Sequence, residues 1–291
     1  MVPARAFVPV RSGHHGSMPI IGLVLPTGSY RGPDFVAAAD ELGIDLAIAT
    51  TDGSLGVPSG RIVRAFAVDC SDPETAAATF LEETTDLALD AVVGVDDAGV
   101  MVAALAASSL GLPHNHPDSV AATRDKAVMR RLLERAGVPQ PRFAVVTDAS
   151  EAARAAADLG FPVVIKPRTL SASRGVMRVD DSEAMPAMTA RLAAIHEAAG
   201  VTEPGFLVEE FVAGPEIAVE GLLSPGGGLE VLAVFDKPDP LDGPFFEETI
   251  YVSPSRHAPT ALDAAREVTE RSVEALGLAF GPIHAELRLT D

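Results

Sequence analysis

A chain of 291 residues with 22 basic and 41 acidic side chains, net charge −19, is too long for one compact α/β core and suits two or three lobes. The acidic excess excludes a protein that tracks a nucleic-acid backbone, which needs a basic stripe, and no apolar run reaches the ~20 residues of a membrane span. A single cysteine, Cys70, excludes an internal disulfide framework and fits a reducing cytoplasm; following an apolar run, it reads as a small buried residue.

Residues 1–18 hold two arginines and the pair His14 and His15 ahead of Met18, without the apolar segment of a signal peptide. They read as a disordered leader, a misassigned start or a scar. From Pro19, strand and helix alternate. Apolar runs predict strands over 20–25, 45–49, 61–68 and 91–95, and helical spacing fills 34–42, 73–85 and 99–110. This alternation predicts a parallel sheet covered on both faces, a Rossmann-like domain over 19–117. Its first turn, Pro26-Thr-Gly-Ser-Tyr30, lacks the Gly-x-Gly-x-x-Gly spacing that brings a pyrophosphate to a helix N-terminus. The sheet is therefore read as a scaffold. Leu112-Pro-His-Asn-His-Pro117 closes it, and the flanking prolines favour a rigid crossing over a metal site at His114 and His116.

Asp118 is a good cap for a helix expected over 119–136, crowded with Arg124, Lys126, Arg130, Arg131 and Arg135 and stopped at Gly137-Val-Pro139. A strand at 143–146, a helix at 150–159 and a strand at 162–165 follow, the last running into Lys166. The small-residue loop Ser171-Ala-Ser-Arg-Gly175 precedes a strand at 176–179 and a helix at 182–199. Beyond Gly205 the chain turns strongly β, with strands at 206–212, 216–223, 229–235 and 248–252. A helix at 260–276 leads to a closing strand at 283–289. The expected domains here are 118–205 and 206–291.

Lysine is scarce: Lys126, Lys166 and Lys237 stand against nineteen arginines. A compact ammonium suits sites where a planar fork does not, such as oxygens arrayed along a phosphate chain. Lys166 ends a run of apolar β-branched residues, so its strand is buried while its charge must be satisfied at the tip. Small residues at 171–175 let backbone N–H groups approach an anion closely. Adjacent Glu209 and Glu210 on one strand point to opposite faces, so one looks inward. On the final strand Ile283, Ala285, Leu287 and Leu289 face one way, and His284, Glu286 and Arg288 the other.

In their order and spacing, Thr123-Arg-Asp-Lys126, Pro162-Val-Val-Ile-Lys166, Ser171-Ala-Ser-Arg-Gly-Val176, Leu207-Val-Glu-Glu-Phe-Val212 with Gly214-Pro-Glu216, Phe235-Asp-Lys237 and Glu286 resemble the ATP-grasp superfamily. Within it the chain is similar to carboxylate–amine ligases of the L-amino acid ligase and carbamoyl-phosphate synthetase type. The resemblance implies an α/β and α+β fold, the Rossmann-like parallel sheet being followed by a two-lobed ATP-grasp module that lacks its C-terminal part. It implies ATP, with Lys126 and Lys166 on the α- and β-phosphates and Ser171, Ser173 and Gly175 folding over them. Glu209, Glu210 and Val212 would read adenine, and Glu216 the ribose.

By the same resemblance Lys237 would stand near the γ-phosphate and the acyl phosphate, Arg256 would grip a substrate carboxylate, and Glu286 would ligate Mg²⁺. The implied activity joins a small carboxylate to an amine, with no nucleic-acid or membrane partner and a homodimer as a possible assembly. Related enzymes continue into a partner strand carrying a second glutamate and an asparagine, which this sequence does not contain. The competing expectation is therefore a nucleotide-binding remnant or regulatory module, poorly soluble and at best weakly active.

Overall fold

The computed structural model describes residues 18–26, 29, 31–52, 60–202, 205–224, 226, 228–246 and 250–290. The leader at 1–17, part of the first turn, residues 248–249 of an expected strand, and Asp291 lie outside the described residues. Backbone contacts divide the chain into two compact units, Met1–Pro117 and Asp118–Asp291.

In the first unit, β1 (Ile20–Val24), α1 (Gly32–Leu42), β2 (Asp45–Thr50), β3 (Ile62–Ala67), α2 (Pro73–Glu83), β4 (Ala91–Gly94) and α3 (Asp96–Leu110) follow one another. The strands pair in parallel in the order β3-β2-β1-β4. Local chemistry sets the helix ends: the Asp72 carboxylate accepts from the Thr75 N–H with Pro73 at the first helical position, and Gly43 and Gly111 close α1 and α3 in left-handed conformation. The helix expected over 99–110 begins three residues earlier, at Asp96. One core side holds Phe66, Phe80 and Val102, with half-buried Cys70 packed against it; the other holds Leu23, Val36 and Ile48. Gly99 lets α3 lie directly on β1, since a Cβ there would stand 2.7 Å from the Val24 carbonyl oxygen.

The second unit opens with α4 (Pro117–Arg124) and α5 (Lys126–Arg135), where the sequence predicts one helix. Asp125 separates them. Its backbone is extended, and its carboxylate accepts from the N–H groups of Ala127 and Val128, so it caps α5 instead of continuing α4. Arg168 pairs with the same carboxylate, and the Lys126 N–H donates to the Arg168 carbonyl at 3.0 Å. The break is thus held by tertiary contacts that helical periodicity cannot reveal.

Then come β5 (Phe143–Val146), α6 (Ala149–Leu159), β6 (Val163–Pro167), β7 (Met177–Val179), α7 (Met185–Ala198) and β8 (Phe206–Glu210). These strands form an antiparallel sheet in the order β5-β8-β6-β7, with α6 and α7 packed on one face through Ala152, Ala156, Met185 and Leu192. The expected helix at 182–199 starts only at Met185, because Asp181 accepts from the N–H groups of Glu183 and Ala184 in a turn. β8 stops at Glu210, two residues before the expected end.

A second antiparallel sheet, β10-β9-β11, comprises β9 (Glu216–Ser224), β10 (Gly228–Lys237) and β11 (Gly281–Arg288). Its apolar face, with Ile217, Val219, Ala285 and Leu287, is covered by α8 (Pro259–Ala275) through Ala265. β10 runs two residues beyond the expected 229–235, so Lys237 ends the strand. Where a strand is expected at 248–252, the described part shows only a bridge between Val252 and Asp236.

Candidate functional site

The polar residues of the second unit gather in two networks, one on each sheet. On the first sheet, Lys166 of β6 and Glu209 of β8 lie on neighbouring antiparallel strands, and the Lys166 Nζ stands 2.7 Å from Glu209 Oε2. Arg130 of α5 approaches the same carboxylate, with Nε 2.7 Å from Oε1 and Nη2 3.2 Å from Oε2. Glu209 is 4% exposed. Burial pushes its carboxyl up, but Lys166 and Arg130 outweigh that and hold it down at about 2. Burial lowers Lys166 to about 8; Glu209 opposes this, while the charges of Arg130 and Lys126 add to it.

Lys126, the first residue of α5, donates from Nζ to the Leu170 carbonyl at 2.6 Å, just before the loop that carries Ser171, Ser173 and Gly175. In that loop Ala172 and Ser173 both have positive φ, an uncommon pair of conformations for residues with a Cβ. Gly175, at φ 77°, packs so closely that a Cβ would stand 2.9 Å from Pro167 Cγ.

Adjacent Glu210 points away from Glu209, as strand alternation requires. Its carboxylate accepts from the Arg142 backbone N–H at 2.9 Å and pairs with Arg142 Nε at 2.7 Å. These two bonds, the backbone one first, hold its carboxyl below the usual range.

The second network follows from strand register. Glu216 of β9 lies opposite Lys237 of β10 on one side and Arg288 of β11 on the other, so the three form one row. Lys237 is buried, and its ammonium reaches Glu216 Oε1 at 2.6 Å, also contacts Glu286 Oε1, and lies 5.1 Å from the centre of the Tyr251 ring. Arg288 Nη2 stands 3.3 Å from Glu216 Oε2. On the same face His284 Nδ1 is 2.6 Å from Glu220 Oε1. A hydrogen bond to Glu286 and the Glu220 carboxylate raise His284 to about 9 against the effect of burial.

The segment 211–215 connects the sheets, and arginines hold it. Phe211 has Arg178 over its ring at 4.3 Å and Arg288 at 5.3 Å. Arg288 Nη1 donates to the carbonyls of Val212 and Gly214 at 3.2 and 3.3 Å, and Nη2 donates to the Leu241 carbonyl. Gly214 is required: its φ is 126°, and a Cβ would lie 2.0 Å from the Leu289 carbonyl oxygen.

Of the residues expected from sequence, Lys166 and Glu209 meet in one network, while Glu216, Lys237 and Glu286 meet in the other. Val212 sits on the connection. Glu210 is paired on the opposite strand face, and Arg256 has an exposed side chain, its backbone N–H donating to Asp236 Oδ2 at 2.9 Å. Arg130, Arg178 and Arg288 are members that sequence reasoning did not select. Two had a visible signal: Arg130 is four residues from Lys126 on one helix, and Arg288 two from Glu286 on one strand. Among the described residues no group of three or more His, Cys, Asp or Glu side chains could hold a metal. No helix there is long and apolar enough to cross a membrane.

Residues 159–291 match the ATP-grasp domain family, and residues 36–114 the ATP-grasp N-terminal domain. The chain is 28% identical to alanine–anticapsin ligase of Bacillus amyloliquefaciens over 76% of its own length and 50% of that protein. It is 31% identical to D-alanine–D-alanine ligase of Ectopseudomonas mendocina over 57% of its length and 52% of the relative. The crystal structure of L-amino acid ligase from Bacillus licheniformis superposes with a TM-score of 0.75 at 25% identity, covering 94% of this chain and 64% of that one. The chain thus spans about half the length of these two curated ligases.

Proposed function

We propose that this chain, which belongs to the ATP-grasp superfamily, serves an ATP-dependent ligase that activates a small carboxylate as an acyl phosphate and passes it to an amine. The observation that carries the reading is the cationic group of half-buried Lys166 and Arg130 around buried Glu209, with Lys126 close enough to depress Lys166, inside a chain of net charge −19. Such a local positive centre suits a polyphosphate. In this reading Lys126 and Lys166 hold the α- and β-phosphates, and the 171–175 loop closes over them with backbone N–H groups and the Ser171 and Ser173 hydroxyls. Glu209 acts on the nucleotide chiefly by orienting the Lys166 ammonium, and backbone groups near Val212 receive the adenine. Glu216 accepts from the ribose hydroxyls.

Lys237, between Glu216 and Glu286, is placed in this reading at the γ-phosphate, where it neutralises charge as the substrate carboxylate attacks phosphorus and ADP leaves. The amine then attacks the acyl carbon and phosphate departs, so no protein nucleophile is needed. Arg256 would hold the carboxylate substrate bidentately. The donor chemistry fits Mg²⁺: Glu286 offers a partly exposed carboxylate oxygen, and Mg²⁺ is usually held by one or two carboxylates together with substrate phosphates and water. Bound there, Mg²⁺ would supply charge neutralisation at the phosphate oxygens. The single cysteine suits a reducing cytoplasm.

The alanine–anticapsin and D-alanine–D-alanine ligases suggest amino acids as both substrates of the whole protein. The test is ADP release with pairs of amino acids: turnover that requires both a carboxylate and an amine substrate is expected. Turnover independent of the carboxylate would contradict the reading.

A further inference from the structure

Arg288 does more than neutralise Glu216. Strand register sets the two opposite each other on β11 and β9. The Lys237 ammonium stands 2.6 Å from Glu216 Oε1 and Arg288 Nη2 stands 3.3 Å from Glu216 Oε2, so different cations hold the two carboxylate oxygens. The same half-buried guanidinium also reaches beyond its sheet. Nη1 donates to the carbonyls of Val212 and Gly214 at 3.2 and 3.3 Å, Nη2 donates to the Leu241 carbonyl, and Cζ lies 5.3 Å from the centre of the Phe211 ring.

Arg178 of β7 completes the arrangement from the other sheet. Its guanidinium lies 4.3 Å from the Phe211 ring centre, and its Nη1 donates to the Asp242 carbonyl at 2.8 Å. Phe211 thus stands against one guanidinium from each sheet, and the adjacent carbonyls of Leu241 and Asp242 accept one bond from each. Carbonyls carry no net charge, so what these bonds fix is position: a rigid planar fork of donors sets where 211–215 runs relative to Glu216. A lysine at 288 would keep the charge but offer a single nitrogen, which cannot serve Glu216, the connection and Leu241 together.

We propose that Arg288 is the positioning residue for the nucleoside half of the ligand, locking the 211–215 connection and the Glu216 carboxylate in one geometry so that base and ribose are read as a unit. This rests on the nucleotide reading above, in which backbone groups near Val212 receive adenine and Glu216 receives the ribose. It separates that half from the phosphates, which fall to Lys126 and Lys166. Backbone groups that suit adenine, whose C6 amino group donates, mismatch guanine, whose C6 oxygen accepts. Discrimination of the base is therefore the property that Arg288 controls.

Calorimetric titration of the parent chain, R288K and K166M with ADP and with GDP tests it. The parent is expected to bind ADP about tenfold or more tightly than GDP. R288K should bind ADP about tenfold more weakly and GDP much as the parent does, so the preference shrinks; K166M should weaken both nucleotides and keep the preference. A merely structural role would lower both nucleotides together in R288K, and that result would overturn the proposal. Unchanged ADP affinity in R288K, or a parent chain without preference for ADP, would do the same. No ADP binding to the parent, or a K166M chain that binds as the parent does, would instead overturn the nucleotide reading and the proposal with it. On the unaltered chain, hydrogen exchange over 211–216 should slow more with saturating ADP than with saturating GDP. Equal slowing would contradict the proposal even if R288K folds poorly.

Discussion

Lys166 and Glu209 form a pair whose two halves respond to pH in different windows. The folded Glu209 carboxyl is held at about 2 against an ordinary 4.5, so below the unfolded value the unfolded chain binds more protons. Its stabilisation is complete above pH 4.5 and is lost as pH falls towards 2. Lys166 works the other way. Folding lowers its ammonium from 10.5 to about 8, so the penalty of burying the charge is full below pH 8 and is relieved as pH rises towards 10.5. Function should oppose that gain, since a phosphate needs the charged form. ADP affinity is expected to fall as pH rises past about 8, and K166R, which stays charged, should flatten the profile; titrations from pH 7 to 9.5 measure both. Removing the shared, buried carboxylate leaves two half-buried cations facing each other. E209Q is expected to cost about 3–5 kcal/mol in denaturant unfolding.

At the scale of elements, Asp125 and Gly214 carry the most structure per residue. D125A removes the α5 cap and the partner of Arg168, with an expected loss of about 1–2 kcal/mol for the cap alone; D125N keeps cap acceptors and should lose less, by the same unfolding measurement. G214A forces a Cβ into the Leu289 carbonyl and should disrupt the connection, weakening ADP binding even where the chain still melts cooperatively.

The strands and most helices were legible because hydrophobic period and glycine or proline stops act locally. The α4–α5 break was not, because it depends on Arg168, 43 residues from Asp125 in the chain. The inward turn of one glutamate was readable from alternation at 209 and 210. That Glu209 serves two cations was not, since Arg130 enters from a helix whose register on the sheet is a tertiary fact. The row Lys237–Glu216–Arg288 escaped for the same reason: antiparallel register, not spacing, puts those three together.

At the scale of the whole molecule, each unit carries its own core clusters, and both described networks lie in the second. Hydrogen exchange of the full chain with ADP should therefore slow around 126–130, 163–176, 206–216 and 284–288, and leave β1 to β4 unchanged. Protection confined to the first unit would place the nucleotide on the parallel sheet, which lacks a glycine fingerprint. The cations around Glu209 are proposed to hold a nucleotide's phosphates. Calorimetric titration of Mg·ADP into the parent chain and K166M tests it most directly. One ADP per chain, with K166M weaker by about tenfold or more, is the predicted result; no ADP binding, or equal affinity in the two chains, would contradict it.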